Sequence, residues 1–221
     1  MNDIIQGIAI YALPVIFAIT IHEAAHGYVA KYFGDPTAEK AGRISLNPLR
    51  HIDPFGTILL PLMLFLASKL LMGSGLLFGW AKPVPVDFNQ LRQPKKDMLW
   101  VAAAGPGVNL LMAFFWAMVI KFGISVPDGI YAKPMILMGI AGIEINVILM
   151  VLNLLPIPPL DGGRIAVSLL PNKLAWKFAQ IEPYGFAILL ILLFSGGLSV
   201  ILWPLITMTK QMLVVLFGLY I

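Results

Sequence analysis

Long apolar stretches with almost no charge run through this sequence and restrict the folds open to it. A membrane-spanning helix needs about 20 mainly apolar residues, and most of the stretches reach that length. They lie at roughly 4–33, 56–78, 98–122, 135–157 and 184–205, with a short last one near 207–221. We therefore expect an all-α polytopic membrane protein with about five to six membrane segments.

The composition excludes the soluble alternatives. Of the 221 residues, 59% are hydrophobic and 12% are charged, whereas an average soluble domain is about 45–50% apolar and about 25% charged. Surface-to-volume scaling leaves no room to hide such an apolar excess in a water-soluble globule of this size. A soluble enzyme, a disordered tail and a nucleic-acid-binding module are excluded as first interpretations. The expected environment is the lipid bilayer, and no nucleic acid is expected as a partner.

The basic residues predict the orientation of the chain. Lys and Arg concentrate in the segments 34–55, 79–97 and 158–183, whereas the segment 123–134 holds only Lys133. The positive-inside rule places the first three segments on the cytoplasmic side and the fourth outside.

That orientation conflicts with a single crossing by the apolar stretch 56–78, because both of its flanks are basic. A re-entrant or hairpin segment that enters and leaves from the cytoplasm resolves the conflict, since irregular backbone is tolerated at depth where protein covers it. The stretch is interrupted by Pro61, Lys69 and the run Gly73-Ser74-Gly75. We expect a hairpin here, with a true crossing as the alternative.

Two loop pieces have the pattern of extended chain. Residues 43–46 alternate polar and apolar side chains, which is typical of a strand. Pro83 and Pro85 exclude a helix over 82–86. We expect short β-strands at the cytoplasmic rim in both places.

The first apolar stretch contains the pattern His22-Glu23-Ala24-Ala25-His26. A charge at the centre of a membrane span costs about 2.5–3.5 kcal/mol on insertion scales, so ionisable residues there indicate function. Histidines four residues apart share one helical face, and both can bind one metal ion. Glu23 lies on the adjoining flank, where it can act as a base toward water on that metal. Two of only three histidines fall in this pattern, which favours metal binding over a chance match.

A hydrolytic zinc site usually has three protein ligands and one open position. The chain has no Cys, so the third ligand must be a carboxylate or His51. Asp161 is the strongest candidate, because the proline-rich run 156–159 breaks the preceding helix and lets the backbone turn back toward the membrane interior. The alternative role for Asp161 is that of an ordinary helix cap.

Together these residues resemble the motifs of the site-2 protease family of intramembrane zinc metalloproteases. The resemblance covers about residues 15–170 and is closest to the compact bacterial branch without a PDZ domain. Two motifs carry most of it, His22-Glu23-Ala24-Ala25-His26 and Asn153 followed by Pro156-Ile157-Pro158-Pro159-Leu160-Asp161-Gly162. Further matches are Gly105-Pro106-Gly107-Val108-Asn109, Gly34-Asp35-Pro36-Thr37-Ala38, Asn47–Pro54 and Phe78–Pro85.

The resemblance implies that His22, His26 and Asp161 bind one zinc ion and that Glu23 is the general base. It also implies that Asn153 lies beside the site and helps to orient or stabilise the substrate carbonyl. The chain would then be a zinc endopeptidase that cuts peptide bonds in or near transmembrane segments of membrane proteins, as in regulated intramembrane proteolysis.

Such a protein would be one membrane-embedded metalloprotease domain over 1–221, with a catalytic core at about 4–170 and C-terminal membrane segments at about 184–221. It would be a multi-pass protein of the cell inner (cytoplasmic) membrane, with its active site toward the cytoplasm. Its partners would be transmembrane substrates and a regulatory membrane protein of unknown identity.

Other polar residues have two interpretations each. His51 either approaches the metal or is an ordinary interfacial residue, and we favour the second. Glu144 and Asn146 either face a water path to the zinc or sit near the outer end of their span. We interpret Asn109, in the run 105–109, as part of a close helix contact formed by small residues.

Two alternative functions are open at this point. A metal transporter or channel would need several polar stations along a pore, but the polar residues here concentrate at one depth. A catalytically inactive membrane scaffold would keep the fold without the chemistry, and the intact Glu23 argues against it.

Overall fold

The computed structural model describes residues 2–72, 79–127 and 129–219. All regular secondary structure in these ranges is helical, and it contains no strand. The α-helices are α1 (Asn2–Tyr32), α2 (Thr37–Lys40), α3 (Leu60–Met72), α4 (Pro94–Ser125), α5 (Ala132–Asn153), α6 (Asp161–Leu169), α7 (Asn172–Ala179), α8 (Glu182–Phe194) and α9 (Gly197–Phe217). Short 3₁₀ turns cover Pro48–His51 and Phe88–Gln90, and a π-helical turn covers Pro54–Leu59.

Helices α1, α4, α5 and α9 are long and apolar enough to cross a membrane. The pair α7 and α8, bent by 63° at the break between them, would make a fifth span. Helices suit this environment because all their backbone polar groups bond within the segment, where lipid offers no partner. The prediction of an all-α multi-pass membrane protein is confirmed, but the described residues support four to five spans rather than five to six.

The C-terminal boundaries differ from those predicted. The predicted segment 184–205 is divided, because Gly196 has φ +75° and starts a new helix that runs on through Pro204. A positive φ suits glycine, which has no Cβ to clash with the backbone. The break was missed because hydropathy responds weakly to Ser and Gly.

Residues on the two sides of the predicted hairpin 56–78 meet. The Trp80 backbone N donates to the Gly56 carbonyl at 3.0 Å, and the Thr57 hydroxyl donates to the Trp80 carbonyl at 2.8 Å. A side chain on Gly56 would collide with the Trp80 ring, 2.2 Å from its Nε1. This contact supports a segment that starts and ends on one side; the run Gly73-Ser74-Gly75, which interrupts the stretch in the sequence, lies outside the described residues.

The predicted rim strands are not formed in the described residues. Pro83 and Pro85 have no N–H for a ladder, and the donors around them have other partners. The Lys82 N donates to the His51 carbonyl at 2.8 Å, and the Val84 N donates to a Glu23 carboxylate oxygen at 2.9 Å. Residues 43–46 likewise lack a strand partner, since the Arg43 N donates to Ala38 in the turn after α2.

Helices α1, α4 and α5 pack against one another, and α6 packs against α4. Gly139 and Gly142 allow α5 to approach α4 closely, since a Cβ on Gly142 would lie 2.2 Å from Cγ of the buried Trp116. Small residues are what allow two membrane helices to meet at this range. The middle of α4 contacts both α1 and α5, and polar residues of all three helices meet there.

Candidate metal centre

The two histidines of α1 lie on the face that this helix turns toward the bundle. His22 and His26 are both buried, and their Nε2 atoms are 3.2 Å apart. The one-turn spacing on a helix produces this proximity. Both predicted metal ligands of the first motif are therefore brought together.

Asp161 reaches the same point from the turn after α5. The chain leaves α5 at Asn153, and Gly162 and Gly163 lie against the backbone of that turn. A Cβ on Gly162 would be 2.3 Å from the Leu154 carbonyl oxygen, so only glycine fits. Asp161 is the first residue of α6, and no side chain caps that helix. The cap interpretation is therefore wrong, and the carboxylate points into the bundle.

The three side chains form a nearly equilateral triangle. The Asp161 Oδ2 atom lies 3.3 Å from Nε2 of His22 and 3.3 Å from Nε2 of His26. All three residues are buried. The Asp161 Oδ2 atom accepts no hydrogen bond, and a buried carboxylate oxygen without a partner is costly.

The outer nitrogens of the two rings explain why that oxygen is unpartnered. The Nδ1 of His22 lies 2.5 Å from Asn109 Oδ1, and the Nδ1 of His26 lies 2.7 Å from the Val101 carbonyl oxygen. In each neutral ring the proton must then be on Nδ1, which leaves a lone pair on Nε2. Three electron-rich atoms thus face one another, an arrangement that a cation stabilises.

The triangle has the dimensions of a zinc site. Zinc bonds of about 2.0–2.1 Å at tetrahedral angles require donor atoms about 3.3–3.4 Å apart, close to the separations observed here. Gly105 of α4 closes one side of this space. A Cβ at Gly105 would lie 2.5 Å from His26 Nε2 and 2.6 Å from His22 Nε2. The residues therefore fit a zinc ion, and any larger residue at 105 would intrude on it.

Glu23 is held by the segment that follows the predicted hairpin. We name residues 80–86 the strap. The Val84 N donates to Glu23 Oε2 at 2.9 Å, and the Val84 side chain lies against Gly27, where a Cβ would be 3.2 Å from it. The carboxylate of Glu23 is half-buried, so it remains open to a water molecule or a substrate.

The other predicted residues lie elsewhere. Asn153 donates to the Leu149 carbonyl of its own helix at 3.0 Å. His51 is buried, and its Nε2 bonds to the Ser45 carbonyl at 2.8 Å, so among the described residues it is not part of the metal-ligating group. Glu144 lies 3.4 Å from the Tyr11 hydroxyl and 3.9 Å from Lys210 Nζ. Neither site role proposed for Glu144 or Asn153 is visible in these contacts.

Sequence reasoning missed three contributors. Asn109 was interpreted as helix packing, but it is the partner of His22. Asn146 is fully buried and bonds to Asn109, a contact that neither of its two interpretations included. Gly105 packs closely, as expected, but against the imidazole rings, whereas Gly107 has nothing within 4 Å. The available signal was the i, i+4 spacing of Gly105 and Asn109, which puts a polar side chain and a gap on one face of an apolar helix.

Comparison with known proteins agrees with this geometry. The model of peptidase family M50 matches residues 129–195, which include Asn153 and Asp161. The chain is 38% identical over 214 residues to "Putative zinc metalloprotease YwhC" of Bacillus subtilis (strain 168), covering 93% of this chain and 90% of that protein. It is 28% identical over 186 residues to "Putative zinc metalloprotease Rip2" of Mycolicibacterium smegmatis, covering 83% of this chain and 66% of that protein. The Rip2 of Mycobacterium tuberculosis (strain H37Rv) is 30% identical over 185 residues, with the same coverage.

No solved structure matches the chain. The identity to YwhC nevertheless extends along nearly the whole of both chains, and the family match includes the Asp161 motif. With its apolar spanning helices and buried His/His/Asp group, the chain belongs to peptidase family M50, the site-2 protease family of membrane zinc metalloproteases.

Proposed function

We propose that this chain is an intramembrane zinc endopeptidase that cuts peptide bonds in or near transmembrane segments of other membrane proteins, as in regulated intramembrane proteolysis. The observation that carries the proposal is the triangle of His22, His26 and Asp161 donor atoms, 3.2–3.3 Å apart, inside a bundle of membrane-spanning helices. A buried site of this kind is suited to substrates that lie in the bilayer themselves.

Each side chain has one role in this proposal. His22, His26 and Asp161 hold the zinc ion, which when bound supplies Lewis acidity that acidifies water and polarises the scissile carbonyl. Glu23 takes the proton of the attacking water and returns it to the leaving amine. The Val84 N–H holds the Glu23 carboxylate in place between these two proton transfers. Asn153 orients the substrate carbonyl once a substrate is bound.

The site lies toward the cytoplasmic face in this proposal. His22 precedes the end of α1 at Tyr32 by ten residues, about 15 Å along a helix axis. The loops after α1 and around the strap are the basic ones, which favours their cytoplasmic location. Water can then reach the site from the cytoplasm. In this proposal the protein is a single domain over 1–221, held in the inner membrane of the cell.

The decisive experiment separates zinc binding from proton transfer. Glu23→Gln keeps the three ligands, so it is expected to bind zinc normally and to lose cleavage by about 10²–10⁴-fold, the usual contribution of a general base. His22→Ala and Asp161→Ala are expected to lose zinc. Zinc content is measured on purified protein, and cleavage by comparing membrane-protein fragments in cells that express each variant.

Glu39→Gln is the matched control. Glu39 is exposed and paired with Lys31 at 2.6 Å, outside the site, so cleavage is expected to stay at the wild-type level. A Glu23→Gln protein that cleaves as well as the Glu39→Gln protein would contradict the assigned base. Zinc transport into liposomes without proteolysis would contradict the proposed function itself.

A further inference from the structure

A chain of buried amides connects one metal ligand to two other helices. His22 Nδ1 lies 2.5 Å from Asn109 Oδ1, and Asn109 Nδ2 donates to Asn146 Oδ1 at 2.9 Å. The Asn146 Nδ2 donates in turn to the Gly142 carbonyl at 2.8 Å. Both asparagines are fully buried. This series of hydrogen bonds therefore runs from α1 through α4 to α5 without reaching solvent or lipid.

The Gly142 carbonyl, at the end of this series of hydrogen bonds, determines the direction of each of them. A backbone carbonyl only accepts, so the Gly142 carbonyl requires the amide nitrogen of Asn146 and turns Oδ1 of Asn146 toward Asn109. The Ala18 carbonyl, 3.3 Å from Asn109 Nδ2, orients Asn109 in the same sense. Both amide hydrogens of Asn109 are then used, and only its oxygen is left for His22.

We propose that Asn109 and Asn146 are positioning residues that hold His22 in the Nδ1–H tautomer, so that its Nε2 lone pair faces the metal. Asn109 acts directly, and Asn146 acts through Asn109 without touching the ring. Fixing a ligand histidine through its second nitrogen sets both its tautomer and its orientation. The statement that the His22 Nε2 lone pair faces a metal rests on the proposed function. The statement that Asn109 and Asn146 set the tautomer of His22 does not.

His26 provides an internal comparison. Its Nδ1 bonds to the backbone carbonyl of Val101, 2.7 Å away, so no side chain is needed to set its tautomer. Substitution at 109 or 146 is therefore expected to change His22 and to leave His26 as it is. A general loosening of the helix packing would change the tautomer or the orientation of both imidazole rings.

The first test measures the tautomer in metal-free protein. The chain has three histidines, so ¹⁵N-histidine labelling produces a spectrum that substitution at each histidine can assign. In the wild-type protein, the neutral forms of His22 and His26 are both expected to carry the proton on Nδ1. In Asn109→Leu the His22 signal is expected to change to the Nε2–H form or to a mixture, with His26 unchanged. A His22 signal that stays Nδ1–H in Asn109→Leu would overturn the proposal.

The second test measures zinc affinity by competition with a chelator. Asn109→Leu is expected to weaken zinc binding by about 10–100-fold, and Asn146→Leu by a smaller factor. Because the two residues act in series, the double variant is expected to bind no more weakly than Asn109→Leu alone. Losses of zinc affinity that add up in the double variant, or wild-type affinity in both single variants, would contradict the proposal that Asn146 acts through Asn109.

Trp116→Phe is the matched control, since it perturbs the same α4–α5 contact. The Trp116 Nε1 is buried and bonds to nothing among the described residues, so its removal is expected to leave the tautomer and the zinc affinity unchanged. If thermal unfolding measurements show that Asn109→Leu is not folded, Asn146→Leu, which touches no metal ligand, provides the test. Wild-type protein that binds zinc but cleaves nothing would refute the proposed function and leave this inference intact.

Discussion

At the scale of single residues, the metal centre depends as much on a missing side chain as on the three ligands. Gly105 lets two imidazole rings approach the α4 backbone, and a Cβ there would come within 2.5 Å of His26 Nε2. Asn109, one turn further along α4, bonds to the outer nitrogen of His22. One helix face therefore supplies both the space for the cation and the group that orients a ligand.

We predict that Gly105→Ala abolishes zinc binding while the protein still folds. The added methyl group intrudes on the metal position, and overpacking of this kind costs about 1–3 kcal/mol of folding free energy. Zinc content and thermal unfolding of the purified protein measure the two effects. Gly107→Ala is the control, because nothing lies within 4 Å of a Cβ at Gly107, and it is expected to bind zinc normally. A zinc-loaded Gly105→Ala protein would contradict the proposed metal position.

At the scale of structural elements, the strap connects the π-helical turn Pro54–Leu59 to α1. Trp80 contacts Phe55 and Phe186, with ring centroids 5.8 and 5.3 Å away, and so joins that turn to α8. Of the three residues 83–85, only Val84 has an N–H, and it donates to Glu23. Flanking prolines restrict the backbone, so the one available donor is held toward the carboxylate.

We predict that Val84→Pro lowers kcat about 10–100-fold with normal zinc content. It removes a hydrogen bond to a charged group, worth about 1.5–3 kcal/mol, and so frees the Glu23 side chain. Steady-state cleavage of a model transmembrane substrate in proteoliposomes measures kcat and KM separately. Val84→Ala keeps the N–H and is expected to retain most of kcat. Equal kcat values for the two variants would show that the backbone donor is irrelevant.

At the scale of the whole molecule, the distribution of basic residues and the contact between Gly56 and Trp80 support the same topology. The contact between Trp80 and Gly56 brings together the two flanks of an apolar stretch, and both flanks are basic. In the proposed topology, α4 and α5 would cross the membrane in opposite directions, with their connection on the outer side.

We predict that Lys40 and Lys96 lie on one side of the membrane and Ile130 on the other. The chain has no Cys, so single cysteines at these exposed positions report their side through a membrane-impermeant maleimide added to intact cells. Ile130→Cys is expected to label at once, and Lys40→Cys and Lys96→Cys only after permeabilisation. Labelling of Lys40→Cys and Lys96→Cys from opposite sides would mean that 56–78 crosses the membrane.

The sequence alone determined the features that depend on local pattern. Apolar length predicted the helices α1, α4 and α5, and one-turn spacing put His22 and His26 on one face. The need for a third ligand pointed to Asp161 across more than 130 residues of sequence. Patterns of residue type and spacing are enough for such features because each acts within one helix or through one motif.

The tertiary structure decided what depends on contacts between elements. The donors around Pro83 bond to His51 and Glu23 rather than to a strand, so no alternation in sequence could predict the strap. Asn109 and Asn146 meet 37 residues apart along the chain, and a Cβ at position 105 would clash only because two rings lie against Gly105. Packing brings these groups within hydrogen-bonding or van der Waals distance, and such short-range contacts between distant residues depend on the complete arrangement of the helices.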